Sequence, residues 1–69
     1  MEVAIRDEFI KLGQALKLAG LVGNGAEAKE RIQNGEVRLN GTVETRRGKK
    51  CVPGDTLEIE GKSFTLRCL

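Results

Sequence analysis

The side chains able to do chemistry in this sequence are mostly cations. Nine Lys and Arg face only Glu27, Glu30, Glu36 and Glu44 between Lys11 and Cys51, so residues 11–51 carry +5. Residues 1–10 carry −2 and residues 52–69 carry −1. The cations peak at Arg46-Arg47-Gly48-Lys49-Lys50. Such a patch is the electrostatic footprint of a polyanion partner, and it is equally what a solvated loop looks like. Lys29 and Arg31 fall on the predicted second helix, Lys11 and Lys17 on the first, and Arg38 on a strand. Asn24 and Gly25 open the second helix, where free backbone N–H groups favour an anion.

Catalytic patterns are lacking. The chain has no His, Tyr or Trp, which removes His-based catalysis, His metal sites and Tyr stacking platforms. There is no GxSxG, no P-loop and no nucleophile beside a base. Glu27, Glu30 and Glu36 read as a cap, a helix surface and a strand surface. Gly20, Gly23 and Gly25 loosely match a phosphate-binding spacing, but they follow a helix rather than the strand that a dinucleotide fold requires. Cys51 and Cys68 are the only thiols. Without His, two thiols cannot close a zinc site, so no metal and no cofactor are expected. No secretion signal is evident, so both are read as reduced, and Cys68, in an alternating run, as a small buried residue. Phe9 and Phe64 fall in apolar stripes, so an RNA partner would be recognised by shape and backbone rather than by stacked bases.

A chain of 69 residues makes one domain, and one this small buries only about 60% of its unfolded surface. Leu, Ile, Val and Phe make up 19 of the 69 residues, above the roughly 20% below which disorder is expected. The longest uncharged stretch, Leu18 to Ala26, is far short of the about 20 residues that span a bilayer.

Met1 to Arg6 alternates as a short strand. Phe9, Leu12, Leu16 and Ala19 recur at helical spacing, with Lys11, Gln14 and Lys17 off the stripe, which predicts an amphipathic helix over 11–20. Asn24 with Glu27 forms a capping signature for a second helix. Ala28 and Ile32 share its inner face, and Gly35 marks its end. Val37 and Leu39 alternate with polar neighbours before Asn40-Gly41, the strongest short hairpin signal. Residues 42–45 return. Val52-Pro53-Gly54-Asp55 turns, Leu57 and Ile59 alternate, Gly61-Lys62 turns again, and Phe64, Leu66 and Cys68 complete the pattern. The expected fold is α+β, with two short helices packed on a small antiparallel β-sheet.

The order and spacing of Leu12, Leu16, Gly20, Asn24, Ala28, Ile32, Gly35, Val37, Leu39-Asn40-Gly41, Gly54-Asp55 and Leu57 resemble the RNA-binding domain named after small-subunit ribosomal protein S-four, the alpha-L RNA-binding motif. The match covers about residues 10–61. Within the family the chain is similar to the short stand-alone bacterial YaaA/YbcJ-like group, through Lys11-Leu12-Gly13-Gln14, Leu16-Lys17, Gly25 with Ala28-Lys29, and Val43 to Lys50. The resemblance implies an RNA-binding module of the bacterial cytoplasm whose partner is structured RNA of ribosomal or tRNA type, or the ribosome. With the missing catalytic patterns and the short uncharged stretch, the chain is read as a small non-enzymatic protein with no membrane partner, and as a monomer. The second helix and the adjoining basic loop are the implied contact surface. The family commonly has Ser or Thr followed by an RNA-touching Arg where this chain has Asn24-Gly25. That contact is missing, and the burden shifts to Lys29, Arg31, Arg46, Arg47, Lys49 and Lys50. The alternative from another class is a protein-interaction domain docking by its sheet edge on a ribosomal or nucleic-acid-processing partner.

Overall fold

In the computed structural model, which describes residues 1–69, the chain runs β1 (Glu2–Ile5), β2 (Ile10–Lys11), α1 (Leu12–Leu18), α2 (Gly25–Gln33), β3 (Val37–Leu39), β4 (Thr42–Val43), β5 (Lys50–Cys51), β6 (Thr56–Ile59) and β7 (Lys62–Cys68). Five strands form one sheet in the order β1-β7-β6-β3-β4, and β2 and β5 form a separate two-stranded ribbon. The α+β class with two short helices holds. The sheet, however, is mixed rather than wholly antiparallel. β1 runs parallel to β7, with Val3 opposite Leu66 and Ile5 opposite Cys68. Parallel neighbours need a long connection, and the whole chain between these terminal strands supplies it.

Both helices stop at a glycine in the left-handed region, Gly20 (φ 75) and Gly35 (φ 77). After α1, Gly20 N–H donates to Lys17 C=O and Leu21 N–H to Leu16 C=O, at 3.0 and 3.1 Å. After α2, Gly35 N–H and Glu36 N–H bond Ile32 C=O and Arg31 C=O in the same way. This is the Schellman pattern, which satisfies the last helical carbonyls. It shortens α1 to Leu12–Leu18, inside the expected 11–20. Phe9 does not join the helical stripe, because Ile10–Lys11 is extended and paired with Lys50–Cys51. Phe9 is 38% exposed.

The hairpin at Asn40 (φ 53) and Gly41 (φ 86) has the two positive φ values that its sequence demands. Asn40 does more than turn. Its Nδ2 donates to Asp55 Oδ1 and its Oδ1 accepts from Thr56 N–H, both at 2.9 Å, so one side chain joins two turns. The last hairpin turns on Glu60 (φ 52) and Gly61 (φ 76), one residue earlier than expected, with Lys62 already paired to Ile59.

One apolar cluster holds the layers together. α1 contributes Leu12, Ala15 and Leu16, α2 contributes Ala28 and Ile32, and the main sheet contributes Ile5, Val37, Leu57, Ile59, Phe64 and Leu66. Each large side chain buried there stabilises by roughly 1.5–3 kcal/mol. The small Ala15 and Ala28 let the two helices approach. No charged side chain is buried. Cys51 is buried and Cys68 is exposed, contrary to the expectation for Cys68. Alternation decides which face a side chain takes, and only neighbours cover it. Cys68, next to the C-terminus at the end of β7, is left uncovered although its register partner Ile5 is buried.

Candidate nucleic-acid interface

The basic loop is built onto the start of α1. Lys11, at the N-cap, makes no side-chain capping bond. Instead Leu12 N–H donates to Lys49 C=O at 2.9 Å and Gly13 N–H to Arg47 C=O at 3.2 Å. The loop carbonyls thus satisfy N–H groups that the helix leaves open. The β2–β5 ribbon beside them sets Lys11 directly opposite Lys50. At Gly13, a Cβ would lie 2.9 Å from Arg47 Cγ and 3.7 Å from Ala28 Cβ. The Arg47 stem therefore crosses α1 at the one residue with no side chain to block it.

These constraints open a cleft of about 310 Å³ between the helices and the loop. Lys11, Gln14 and Lys17 line one wall, Gly25 and Ala28 the α2 side, and Arg47 and Gly48 the loop side, with Gly13 at the crossing. None of Lys11, Lys17 and Arg47 takes part in an ion pair. At the α2 end, Asn24 Oδ1 accepts from Glu27 N–H at 2.8 Å, and Ala28 N–H begins the helical ladder on Asn24 C=O. The N–H groups of Gly25 and Ala26 find no such partner. A Cβ at Gly25 or Gly48 would meet nothing within 4 Å, so both sides of the cleft are open. The Glu27 carboxylate is turned away onto Gly23 N–H and Arg31.

Of the residues singled out from sequence, Lys11, Lys17, Gly25 and Arg47 converge on this cleft. Asn24 caps α2 at its edge. Lys29 is exposed on α2 and makes no ion pair. Lys49 is half-buried, its carbonyl holding α1. The Lys50 ammonium sits 4.7 Å above the centre of the Phe9 ring. The other three arginines face carboxylates. Arg46 grips Glu44 through Nε and Nη2 at 3.0 and 3.2 Å, and its backbone N–H donates to the same carboxylate at 3.1 Å. Those bonds hold the Glu44 carboxyl down at about 2. Arg31 faces Glu60, Glu36 and Glu27 together, and the Glu60 hydrogen bond is the main cause of its raised pKa. Arg38 stands opposite Glu58 in the sheet, in a shallow surface shared with Glu36 and Glu60.

Gly13, Gln14, Ala28 and Gly48 also line the cleft, and none of them is among the site residues expected from sequence. Signals for two of them existed. Gln14 is spaced by three from both Lys11 and Lys17, the spacing of helical neighbours. A glycine inside a helix costs about 1 kcal/mol against Ala, so Gly13 marks a close approach. No three His, Cys, Asp or Glu side chains gather into a metal-holding group. Chemically, the cleft presents fixed positive charge and backbone donors to an anion.

Residues 3–67 match the family described as S4 domain. The chain is 44% identical over 59 residues to a Bacillus subtilis (strain 168) protein named as a probable ribosome maturation protein, RlbA, covering 86% of this chain and 83% of that one. It is 43% identical over 54 residues to YbcJ of Escherichia coli (strain K12), covering 78% and 77%. The solution structure of E. coli YbcJ superposes with a TM-score of 0.75 at 34% identity, over 97% of this chain and 86% of that one. That structure is described as revealing an alfaL motif involved in RNA binding.

Proposed function

This chain belongs to the S4 domain family, and from that premise we propose that it is a non-enzymatic, monomeric cytoplasmic protein that grips structured RNA by its backbone phosphates. The family and the YbcJ likeness support RNA as the partner, and the name of the B. subtilis relative supports ribosomal RNA as its source. One observation carries the placement of the contact. Lys11, Lys17 and Arg47 meet around a glycine-walled cleft without a carboxylate partner. A phosphate seated there takes charge-assisted hydrogen bonds from Arg47 and N–H donors from the α2 start. The second helix contributes its first turn and Lys29 rather than its whole length. Contacts of this kind supply affinity and position, not sequence reading.

The test is a titration of fluorescent ribosomal RNA hairpins at two salt concentrations. Arg47→Ala is expected to weaken binding about tenfold or more and to make the slope of log K against log salt less negative by about 1. Arg31→Ala is expected to change affinity by less than about twofold, because that guanidinium already faces carboxylates. Binding that ignores Arg47→Ala, or that is flat in salt, would remove the cleft from the interface and favour a protein partner.

A further inference from the structure

The chain has two aromatic rings, and only one is covered. Phe64 is 1% exposed in the core, whereas Phe9 is 38% exposed. Phe9 directly precedes the strand whose Lys11 lines the cleft. The Lys50 ammonium stands over its ring, and Lys50 lies directly opposite Lys11 in the antiparallel ribbon. Like charges facing each other across a ladder repel. Neither lysine is ion-paired with a carboxylate. Asp7 and Glu8, close by in sequence, form ion pairs with neither lysine. The ribbon therefore holds two cations together beside an exposed aromatic face, at the border of the phosphate cleft.

We propose that Phe9, Lys11 and Lys50 form a nucleotide subsite adjoining the cleft, in which the two lysines share one phosphate and the Phe9 ring stacks the unpaired base of that nucleotide. In the free protein the Lys50 ammonium occupies the ring face by a cation–π contact, a weak interaction at an exposed site. A phosphate between Lys11 and Lys50 draws the ammonium off the ring, relieves the repulsion and leaves the ring for the base. Stacking on an aromatic side chain tolerates any base, because every base has a π-face. The subsite thus selects RNA with a bulged or looped-out nucleotide over continuous duplex. It rests on the RNA reading above and adds to it the structural feature of RNA that is preferred.

The experiment compares two RNAs of equal length, a perfect duplex and the same duplex with one bulged 2-aminopurine, against wild type, Phe9→Leu, Phe9→Trp and Arg47→Ala. Thermal melts confirm that each variant folds. Wild type is expected to prefer the bulged RNA and to quench its 2-aminopurine. Phe9→Leu is expected to lose about tenfold on the bulged RNA and less than twofold on the duplex, while Phe9→Trp keeps the preference and the quenching. Arg47→Ala should weaken both RNAs alike. Equal losses on both RNAs with Phe9→Leu, or no loss on either, would overturn the subsite while leaving the phosphate cleft standing if Arg47→Ala still acts. Failure of the wild type to bind either RNA would overturn the RNA reading and the subsite with it.

Discussion

Arg31 and Arg47 both come from the basic middle of the sequence, and the fold surrounds them differently. Three carboxylates converge on Arg31, from Glu27 one helical turn away, from Glu36 just past the helix and from Glu60, 29 residues along the chain. None reaches Arg47, whose stem instead crosses bare backbone at Gly13 toward Lys11 and Lys17. One region is an arginine inside an excess of negative charge, and the other is a gathering of cations beside open backbone donors. An incoming phosphate is repelled by the first and attracted by the second. Arg46 and Arg47 repeat the contrast between adjacent residues, since Arg46 is held by Glu44. A count of Lys and Arg therefore measures charge, while the carboxylates that the fold brings up decide how much of it is available.

Charge reversal should separate the two regions most strongly. Arg47→Glu places a carboxylate among the cleft lysines and is expected to weaken hairpin RNA binding by about a hundredfold, with little change in thermal midpoint. Arg31→Glu is expected to do the opposite. It gathers four carboxylates at one spot, which lowers the midpoint, and it changes RNA affinity by less than about threefold at 25 °C. Parallel melts and titrations on the two variants read this directly. Equal effects on affinity would dissolve the distinction.

A smaller effect is expected from Gly13→Ala, which probes how the cleft is made rather than its charge. The new methyl lies 2.9 Å from Arg47 Cγ, so the Arg47 side chain must turn at its first torsion to admit it. RNA affinity should fall by roughly three- to tenfold, a part of the full Arg47 contribution. Urea unfolding should show stability unchanged or raised, by up to about 1 kcal/mol, since Ala is the better helix former. A variant that loses stability and binding together would show that Gly13 serves the core instead of the cleft.

Local signals in the sequence were legible where the physics is local. Asn24, Gly35 and Asn40-Gly41 specify caps and a turn through their own backbone preferences, and each does so in the structure. What depends on distant chain was not legible. The parallel pairing of β1 with β7 and the grip of Glu60 on Arg31 join residues far apart in sequence. Phe9 misled for a specific reason. Its spacing of three from Leu12 copies a helical repeat, but the pairing of Ile10–Lys11 with Lys50–Cys51 holds the chain extended and leaves the ring outside. In the candidate site, Lys11, Lys17, Gly25 and Arg47 could be named by residue type and position. Their separation from Arg31, Arg38 and Arg46 required the acids around those three.

The smallest expected effect, and the most local test of the comparison, lies in Arg46 and Glu44. The Arg46 guanidinium is the main cause that holds the Glu44 carboxyl at about 2, with the Arg46 backbone N–H second. Arg46→Ala removes the first and keeps the second. Glu44 should then titrate higher, between about 2 and its ordinary 4.5, in a carbon-13 NMR titration of its side chain. A depressed carboxylate stabilises the fold above its unfolded pKa and loses that contribution as pH falls toward its folded one. The stability of Arg46→Ala should therefore decline less than that of wild type between pH 4.5 and 2. At neutral pH the RNA affinity of this variant should fall by no more than about threefold, as for an exposed pair, against tenfold or more for Arg47→Ala. A larger loss would mean that Arg46 leaves Glu44 for phosphate in the complex. The pairing seen in the free protein would then not decide which arginines are available to RNA.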